Sequence, residues 1–367
     1  MASPRCKFAL VAVGPARRPA DSRAGVPSCR SNKAHMNRRR TVGALLALAV
    51  AARSVAAGAQ QPTRIWRIGY LGPPVETAPH LLKAFRDGLR DFGYVEGRNV
   101  TVEYRWTTDR GALLDEAALR ARASELVAEK PDVLAASIDL AVIAAKKVAG
   151  NLPIVMMNVS DPVELGFVAS LAHPGGNMTG LTRLSPELVG KNLQLLVEVV
   201  PGLTRVAMLT SLSNGISATI IRNARQAAES HGVALQVVEA RTAAEIDAAF
   251  ATFKRADAQG VLVPGDGIFF AQRVQIAGLA VAQRLPAISS YTESVEAGAL
   301  LAYSPSSTAN YRRVGGFIDK ILRGTPPGDI PIEQPTSFEL ALNAKTAKAI
   351  GIVLPQTLLL RADRVIE

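Results

Sequence analysis

Polar or acidic residues follow most of the short apolar runs of this sequence, at the points where the runs end. Asn158 follows the run 154–157, and Asp266 follows the run 260–263. Parallel strands end at one edge of their sheet, where helix N-termini also attract anions, so such residues can bind a small polar solute. The candidate ligand-binding residues are Gly72, Pro73, Ser137, Asn158, Ser160, Asp161, Asn214, Asp266, Tyr291 and Glu293.

The chemistry of this set suits a zwitterion. Asp161, Asp266 and Glu293 can bind an amine, while N–H groups at helix N-termini can bind a carboxylate. An amino acid has both groups. The alternative for each residue alone is helix N-capping, a common role of Ser, Asn and Asp at these positions, and we expect it first for Asp139 and Ser211.

The histidines form no catalytic or metal-binding pattern. They are His35, His80, His173 and His231, and none stands in an HExxH motif. His80 and His231 lie at expected helix ends, where a structural role is more common. The sequence also has no nucleophile elbow, Walker A loop or GxGxxG fingerprint. We therefore expect no catalytic residue, no cofactor, no metal ion and no enzymatic activity.

Strands alternate with helices through nearly all of residues 64–367, and each expected strand is short and apolar. This alternation is typical of parallel sheets covered on both faces. The number of units predicts an α/β fold of two doubly wound Rossmann-like lobes joined by a hinge of crossing segments. We expect lobe 1 to comprise residues 64–182 and 303–330, and lobe 2 residues 183–302 and 331–367.

The central stretch 158–182 is expected to be the first segment in which the chain crosses from one lobe to the other. It begins at the polar end of a strand, continues as a short helix at 163–172, and is stopped by Pro174, Gly175 and Gly176 before a further strand at 177–182. Residues 300–304 are expected to form a second crossing.

The formal net charge of +11 is concentrated at the front of the chain. Residues 1–59 contain eleven Lys or Arg and one acid, Asp21, whereas residues 60–367 contain 31 bases and 30 acids. A nearly neutral remainder has no general electrostatic footprint for phosphate backbones. We therefore expect no nucleic-acid partner.

Residues 36–59 have the three parts of a signal peptide. A basic segment at 36–40 precedes an apolar run at 42–52, and Ala57-Gly58-Ala59 offers a cleavage site near Ala59. The run is too short to span a bilayer as a helix, although an uncleaved anchor is the alternative. Residues 1–35 are interpreted as a disordered extension or as translation from a misassigned start.

Both cysteines, Cys6 and Cys29, precede the expected cut. The mature chain then has no disulfide and no cysteine for a lipid anchor. We expect an exported, periplasmic protein.

Five segments together resemble the ABC-transporter substrate-binding family that is related to tryptophan- and tyrosine-binding proteins. The resemblance covers about residues 65–367. The segments are Arg67-Ile-Gly-Tyr-Leu, Gly88-Leu-Arg-Asp-Phe-Gly-Tyr-Val-Glu-Gly-Arg-Asn, the stretch from Ser160-Asp-Pro to Gly180-Leu, Pro201-Gly-Leu-Thr-Arg-Val-Ala, and Glu333-Gln-Pro-Thr-Ser-Phe-Glu-Leu.

The resemblance implies a type I periplasmic-binding-protein fold with three crossing segments and a solute trapped between the lobes. Its implied partners are the permease and ATPase subunits of an ABC import system, and we expect a monomer. The sequence departs from the family pattern at Ser137-Ile138-Asp139, where a small polar residue is expected to open a helix. An Asp cap there would repel a ligand carboxylate, which argues against an aromatic amino acid.

Three other classes of protein share parts of this pattern. A sensor domain of a signalling receptor has the same sequence features. A regulator of the lactose-repressor type would need a helix-turn-helix headpiece, and an enzyme on two Rossmann-like lobes would need a cofactor fingerprint.

Overall fold

The computed structural model describes residues 64–109, 112–212 and 215–367. The expected extension (1–35), the expected signal peptide (36–59), both cysteines and Asn214 lie outside the described residues. None of the helices in the described ranges has the length and hydropathy needed to cross a bilayer.

Fourteen strands are present in the described ranges. In chain order they are β1 (Trp66–Gly72), β2 (Val100–Trp106), β3 (Thr108–Asp109), β4 (Ala112–Leu113), β5 (Val133–Ser137), β6 (Ile154–Val159), β7 (Met178–Thr182), β8 (Arg205–Thr210), β9 (Ala234–Glu239), β10 (Gly260–Val263), β11 (Ala287–Ser289), β12 (Leu301–Pro305), β13 (Phe338–Asn343) and β14 (Arg364–Ile366).

Twelve α-helices connect or follow the strands in the same ranges. They are α1 (Pro79–Asp91), α2 (Glu116–Ala128), α3 (Asp139–Ala149), α4 (Ser185–Val199), α5 (Ser217–Ser230), α6 (Ala243–Arg255), α7 (Gly267–Ala271), α8 (Arg273–Ala282), α9 (Glu293–Glu296), α10 (Ser307–Leu322), α11 (Ala344–Ile350) and α12 (Gln356–Leu359). A single 3₁₀ turn is described at Pro327–Asp329.

The strands form two large sheets with the same internal order. The first sheet runs β2, β1, β5, β6, β7, and all of its pairs are parallel. The second runs β14, β13, β12, β11, β10, β8, β9. In each sheet the first strand lies between the second and the third strands of that sheet, which is the doubly wound arrangement. Strands β3 and β4 form a small separate hairpin.

Both faces of each sheet are covered by helices. Helices α1 and α10 pack on one face of the first sheet through an apolar cluster that includes Phe85 and Phe317, and α2 and α3 pack on the other through Leu119 and Val142. On the second sheet, α4 and α5 cover one face and α6 and α8 the other. The entirely buried strands β5 and β6 fit this double cover.

Local sequence explains several helix boundaries. Pro79 stands in the first turn of α1, where a missing N–H costs nothing, and Leu81, Phe85 and Leu89 recur on its buried face. Asp115 caps α2 by accepting a hydrogen bond from the Ala118 backbone N–H at 2.8 Å.

The chain crosses between the two sheets three times. It leaves the first sheet after β7 and enters the second through α4, returns after β12 to place α10 on the first sheet, and crosses again between the 3₁₀ turn and β13. The first and third crossings lie side by side, because the Thr182 N–H donates to the Glu333 carbonyl and the Glu333 N–H to the Gly180 carbonyl. The prediction of two doubly wound α/β lobes is therefore confirmed.

Three sequence expectations about elements are wrong. Residues 163–172 form turns and bends, because Gly166 takes a left-handed φ of +67° that ends the first turn. Residues 301–305 are strand β12 of the second sheet, and the crossing follows that strand. The sheets are not wholly parallel, since β12 and β13 are antiparallel.

Candidate functional site

The two sheets present their topological switch points to each other. In the first sheet the switch lies between β1 and β5, and in the second between β8 and β10. Loops after the carboxyl ends of these strands diverge there and leave a crevice, which is the usual ligand site of such sheets. Pro73 follows β1, Ile138 follows β5, and Gly265 and Asp266 follow β10. These residues line two adjoining cavities, which together are called the central pocket.

The central pocket has two chambers. Leu81, Phe270 and Tyr311 line the main chamber, whereas Asp139, Ser160 and Asp266 line the side chamber. Both chambers share the walls formed by Ile138, Asn158, Arg183, Gly267 and Tyr291, so they adjoin each other.

Apolar and aromatic side chains form most of the main chamber. Phe270 and Tyr291 lie with ring centroids 4.9 Å apart, and Leu81 and Leu113 face them from the side of the first sheet. Tyr311 reaches the chamber from α10, where its hydroxyl is hydrogen-bonded to the Ser137 hydroxyl. The chamber can therefore bury an apolar body.

The side chamber contains two carboxyl groups. The Ser160 N–H and hydroxyl donate to the two oxygens of Asp139 at 2.8 and 2.6 Å. The Ile268 N–H donates to Asp266 at 2.9 Å, so that Asp266 caps the short helix α7. Burial raises the pKa of Asp139, although the hydrogen bonds from Ser160 and the charge of Arg183 oppose this shift.

The pKa of Asp266 is also raised. Burial of the carboxyl group raises its pKa to about 6, and the neighbouring Asp139 acts in the same direction. The Ile268 N–H and the Arg183 charge act against the shift. Asp266 thus titrates close to neutral pH, and a cation bound beside it would favour its ionised form.

Arg183 is the buried cation of the central pocket. Only 5% of this residue is exposed, and its side chain lines both chambers. Its Nε and Nη2 groups donate to the Ser185 hydroxyl at 3.2 and 2.9 Å, and its guanidinium lies over the ring of Tyr291. A guanidinium held in this way is suited to binding a carboxylate.

Direct contacts join the two halves beside the pocket. The His80 ring at the start of α1 is hydrogen-bonded through Nε2 to Glu293 Oε1 at 3.1 Å, and Arg273 Nη2 donates to the Thr77 carbonyl at 2.7 Å. Gly267 lies against the first half, where a Cβ atom would be 2.8 Å from Ile138 Cδ1. The halves are therefore close together around the pocket.

Two pocket residues have unusual backbone angles. Ile138 has φ +68° and ψ +154°, a conformation that is costly for a β-branched residue, and Asn158 has φ +56°. Asn158 tolerates this region better, and its side-chain oxygen accepts a hydrogen bond from Asn310 at 2.6 Å. Strained residues are common where a binding site must hold a set geometry.

The central pocket brings together six of the ten predicted site residues. They are Pro73, Ser137, Asn158, Ser160, Asp266 and Tyr291.

Three of the other four predicted residues lie outside the lining of the central pocket. Gly72 is buried at the end of β1 against the ring of Tyr70. Asp161 accepts hydrogen bonds from the Val163 and Glu164 N–H groups and lines a separate cavity. Glu293 is paired with His80, as described above. Asn214 is outside the described residues.

The expectation that Asp139 caps its helix is wrong. The N-cap position of α3 is Ile138, which makes no side-chain capping bond, and the Asp139 carboxylate accepts from Ser160 instead. The argument against an aromatic amino acid assumed that an Asp cap occupies the N-terminus of α3. That assumption does not hold.

Sequence reasoning missed several lining residues, chiefly Arg183, Phe270, Arg273 and Tyr311. Arg183 directly follows β7, so the rule that found Asn158 and Asp266 applies to it equally. Tyr311 carries no such signal, because it reaches the pocket only through the packing of α10 on the first sheet.

The described lining of the central pocket contains two arginines, Arg183 and Arg273, two carboxyl groups and an aromatic wall, but no histidine or cysteine. Burial raises the pKa of the Tyr291 phenol to about 12, so this group is neutral. No cluster of three metal-ligating side chains occurs among residues 64–109, 112–212 and 215–367. Such a pocket can bind a small solute that has both charged and apolar parts.

Comparisons with known proteins agree with this fold. The model of a family described as ABC transporter substrate binding protein matches residues 77–366. A curated relative, the tyrosine-binding protein of Clostridioides difficile (strain R20291), is 26% identical over 270 residues, which cover 74% of this chain and 76% of the relative.

Solved structures share the architecture at lower identity. A conserved domain protein from Vibrio cholerae has a TM-score of 0.76 at 23% identity, with 82% of this chain and 100% of that chain covered. An ABC domain from Streptococcus pneumonia, in complex with L-Trp, has a TM-score of 0.75 at 23% identity, with coverages of 82% and 99%.

These neighbours have the type I periplasmic-binding-protein fold, as expected from the sequence, and the curated relative is named a tyrosine-binding protein. Since the family model extends over most of the sequence, the chain belongs to the ABC transporter substrate binding protein family.

Proposed function

We propose that this protein is the extracytoplasmic solute receptor of an ABC import system, which traps an amino-acid-like solute and delivers it to a membrane permease and its ATPase. The observation that carries the proposal is that both halves line one pocket. Ile138 and Leu113 contribute from the first half, and Phe270 and Tyr291 from the second. A solute in this position contacts both halves and stabilises them in the closed arrangement.

The chemistry of the pocket supports an amino acid with an apolar or aromatic side chain. The main chamber offers Phe270, Leu81 and Leu113 to such a side chain, and charged groups stand at the side chamber. The names of the relatives point in the same direction, since one is called a tyrosine-binding protein and one neighbour was solved with L-Trp.

Two further parts of the proposal concern the chain as a whole. We propose that one lobe comprises about residues 64–182 and 303–330, and the other residues 183–302 and 331–367. Strand β12 (Leu301–Pro305), at the boundary between them, pairs within the second sheet. Residues 36–59 direct export to the periplasm and are removed near Ala59. Expression in a two-membrane bacterium, followed by fractionation and N-terminal sequencing, tests this part; full-length chain in the cytoplasm would contradict it.

Ligand binding is tested by titrating the purified protein with the twenty proteinogenic amino acids in a thermal-shift assay, followed by calorimetry. We expect an aromatic or large apolar amino acid to raise the melting temperature. Ala271→Trp, which fills the main chamber, should abolish the effect, whereas Ala282→Trp, on an exposed position of α8, should retain it. If no amino acid shifts the melting temperature at millimolar concentration, the proposed solute class is wrong.

A further inference from the structure

Arg183 has a buried positive charge, and no anionic side chain of the described residues lies directly beside its guanidinium. It is 5% exposed, yet no carboxylate oxygen of the described residues lies within 4.0 Å of its nitrogens, and Ser185 is neutral. Burying a cation is costly unless an anion or several acceptors compensate it. The guanidinium has five N–H donors, more than the Ser185 hydroxyl can accept. An anion in the pocket would satisfy it.

The surroundings hold this guanidinium in one place. The ring of Tyr291 lies beneath it, with 4.4 Å between Arg183 Cζ and the ring centroid. On another side, Gly265 leaves the space that Arg183 Nη2 occupies, because a Cβ atom there would be 1.6 Å from this nitrogen. A preorganised guanidinium loses little side-chain entropy when it binds an anion.

The two carboxyl groups of the side chamber do not take this role. Asp139 is bound by Ser160, and Asp266 is bound by the Ile268 N–H. Both carboxyl groups also interact electrostatically with Arg183, without a direct ion pair to its guanidinium. The two carboxyl groups thus line the side chamber, whereas Arg183 lines both chambers.

We infer that Arg183 binds the carboxylate of the solute and makes the pocket select carboxylic acids over the amines that lack this group. The inference rests on the proposed function, since it concerns the same pocket. The carboxylate lies on the Arg183 guanidinium where the two chambers meet, and the apolar body extends into the main chamber towards Phe270. The amino group, where the solute has one, is directed to the side chamber.

Three probes of equal ring size separate the two charged groups of the solute. They are L-phenylalanine, 3-phenylpropionate, which lacks the amine, and 2-phenylethylamine, which lacks the carboxylate. For the wild-type protein, calorimetry is expected to give an affinity for 2-phenylethylamine at least about tenfold weaker than for L-phenylalanine, because a charge-assisted hydrogen bond is lost. 3-Phenylpropionate should bind more tightly than 2-phenylethylamine.

Substitutions at Arg183 then assign the preference to that residue. Arg183→Gln is expected to weaken L-phenylalanine binding about tenfold or more and to leave 2-phenylethylamine unchanged or slightly tighter. Arg183→Lys should restore part of the affinity for the acid. Arg361→Gln removes an equal charge from a surface pair with Glu198 and should bind all probes like the wild type.

The possible failures have different meanings. Equal binding of L-phenylalanine and 2-phenylethylamine to the wild type, or undiminished selectivity in a folded Arg183→Gln variant, would overturn the role of Arg183 and leave the receptor function intact. Absence of binding of every amino acid would overturn the proposed function and this inference together. If Arg183→Gln does not fold, the ratio of the wild-type affinities for L-phenylalanine and 2-phenylethylamine decides whether the pocket selects the carboxylate.

Discussion

The guanidinium of Arg183 lies over the ring of Tyr291, with 4.4 Å between Cζ and the ring centroid. Arg183 follows the last strand of the first sheet, whereas Tyr291 lies between β11 and α9 of the second. The contact therefore spans a crossing between the halves. A cation–π contact of this kind is stronger when water is excluded, and Tyr291 is only 5% exposed.

The first prediction follows from this contact. Tyr291→Leu should weaken the binding of L-phenylalanine about tenfold, since Arg183 loses the ring that holds its guanidinium in place. Tyr291→Phe retains the ring and should stay close to the wild type. Isothermal calorimetry on both variants provides the measurement, and similar losses in Phe and Leu variants would show that the hydroxyl group matters instead of the ring.

A second prediction distinguishes two acids that have similar positions in the sequence. Asp266 lines the side chamber, whereas the Asp161 carboxylate accepts from Val163 and Glu164 outside it. Asp266→Asn should weaken L-phenylalanine binding and leave 3-phenylpropionate, which has no amine, unaffected. Asp161→Asn is the matched control and should bind both probes normally. Equal losses in the two variants would contradict the assignment of the amine to Asp266.

The same carboxyl group predicts a pH dependence of binding. The pKa of Asp266 is raised to about 6, and an ammonium group stabilises the ionised form of Asp266. As the pH falls through about 6, Asp266 takes up a proton and the ammonium loses its partner. The affinity for L-phenylalanine should therefore decrease between pH 7 and pH 5 more than that for 3-phenylpropionate. Parallel pH profiles for the two probes would exclude this role.

Much of the site follows from the order of strands and polar residues in the sequence. Ser137, Asn158 and Asp266 end or follow parallel strands, and a doubly wound sheet brings such positions to one edge. The position of a residue at the end of a strand does not determine where its side chain points. Asp161 and Asp266 each accept a hydrogen bond from the backbone N–H two residues further on, but Asp161 lines a separate cavity.

Other features depend on packing that no local pattern encodes. Tyr311 enters the pocket because α10, more than a hundred residues beyond β7, packs against α1 on the first sheet. The helix expected at 163–172 fails because Gly166 adopts a left-handed conformation, which its sequence permits but does not require. Long-range packing and the backbone conformations of single glycines thus limit what one sequence can predict.

A fourth prediction concerns the stability of the protein without ligand. The folded-state pKa of Asp266 is about 6, above its ordinary value of 3.8, so the folded state binds more protons between these values. Asp266 therefore lowers the free energy of unfolding as the pH rises from 4 towards 6. Asp266→Asn retains an acceptor for the Ile268 N–H but cannot ionise. The difference in the free energy of unfolding between the variant and the wild type, measured by urea denaturation, should increase by roughly 1–3 kcal/mol in favour of the variant between pH 4 and pH 7. A difference that does not change with pH would contradict the raised pKa of Asp266.

The last prediction tests whether close approach of the halves is needed for binding. Gly267 at the start of α7 faces the first half, where a Cβ atom would lie 2.8 Å from Ile138 Cδ1 and 3.2 Å from Leu113 Cδ2. The branched side chain of Gly267→Val would force these groups apart, and overpacking of this kind costs about 1–3 kcal/mol. L-Phenylalanine binding should weaken about tenfold or more, measured by calorimetry.

Gly278→Val is the matched control for this variant. Gly278 lies on the exposed side of α8, and a Cβ atom there would meet nothing within 4 Å. Its valine variant should bind L-phenylalanine like the wild type, with at most a small loss of helix stability. Because Gly267 contacts the other half and not the core of its own sheet, the free energy of unfolding of Gly267→Val should remain near that of Gly278→Val. If both variants bind equally well, contact between Gly267 and Ile138 is not part of the bound state.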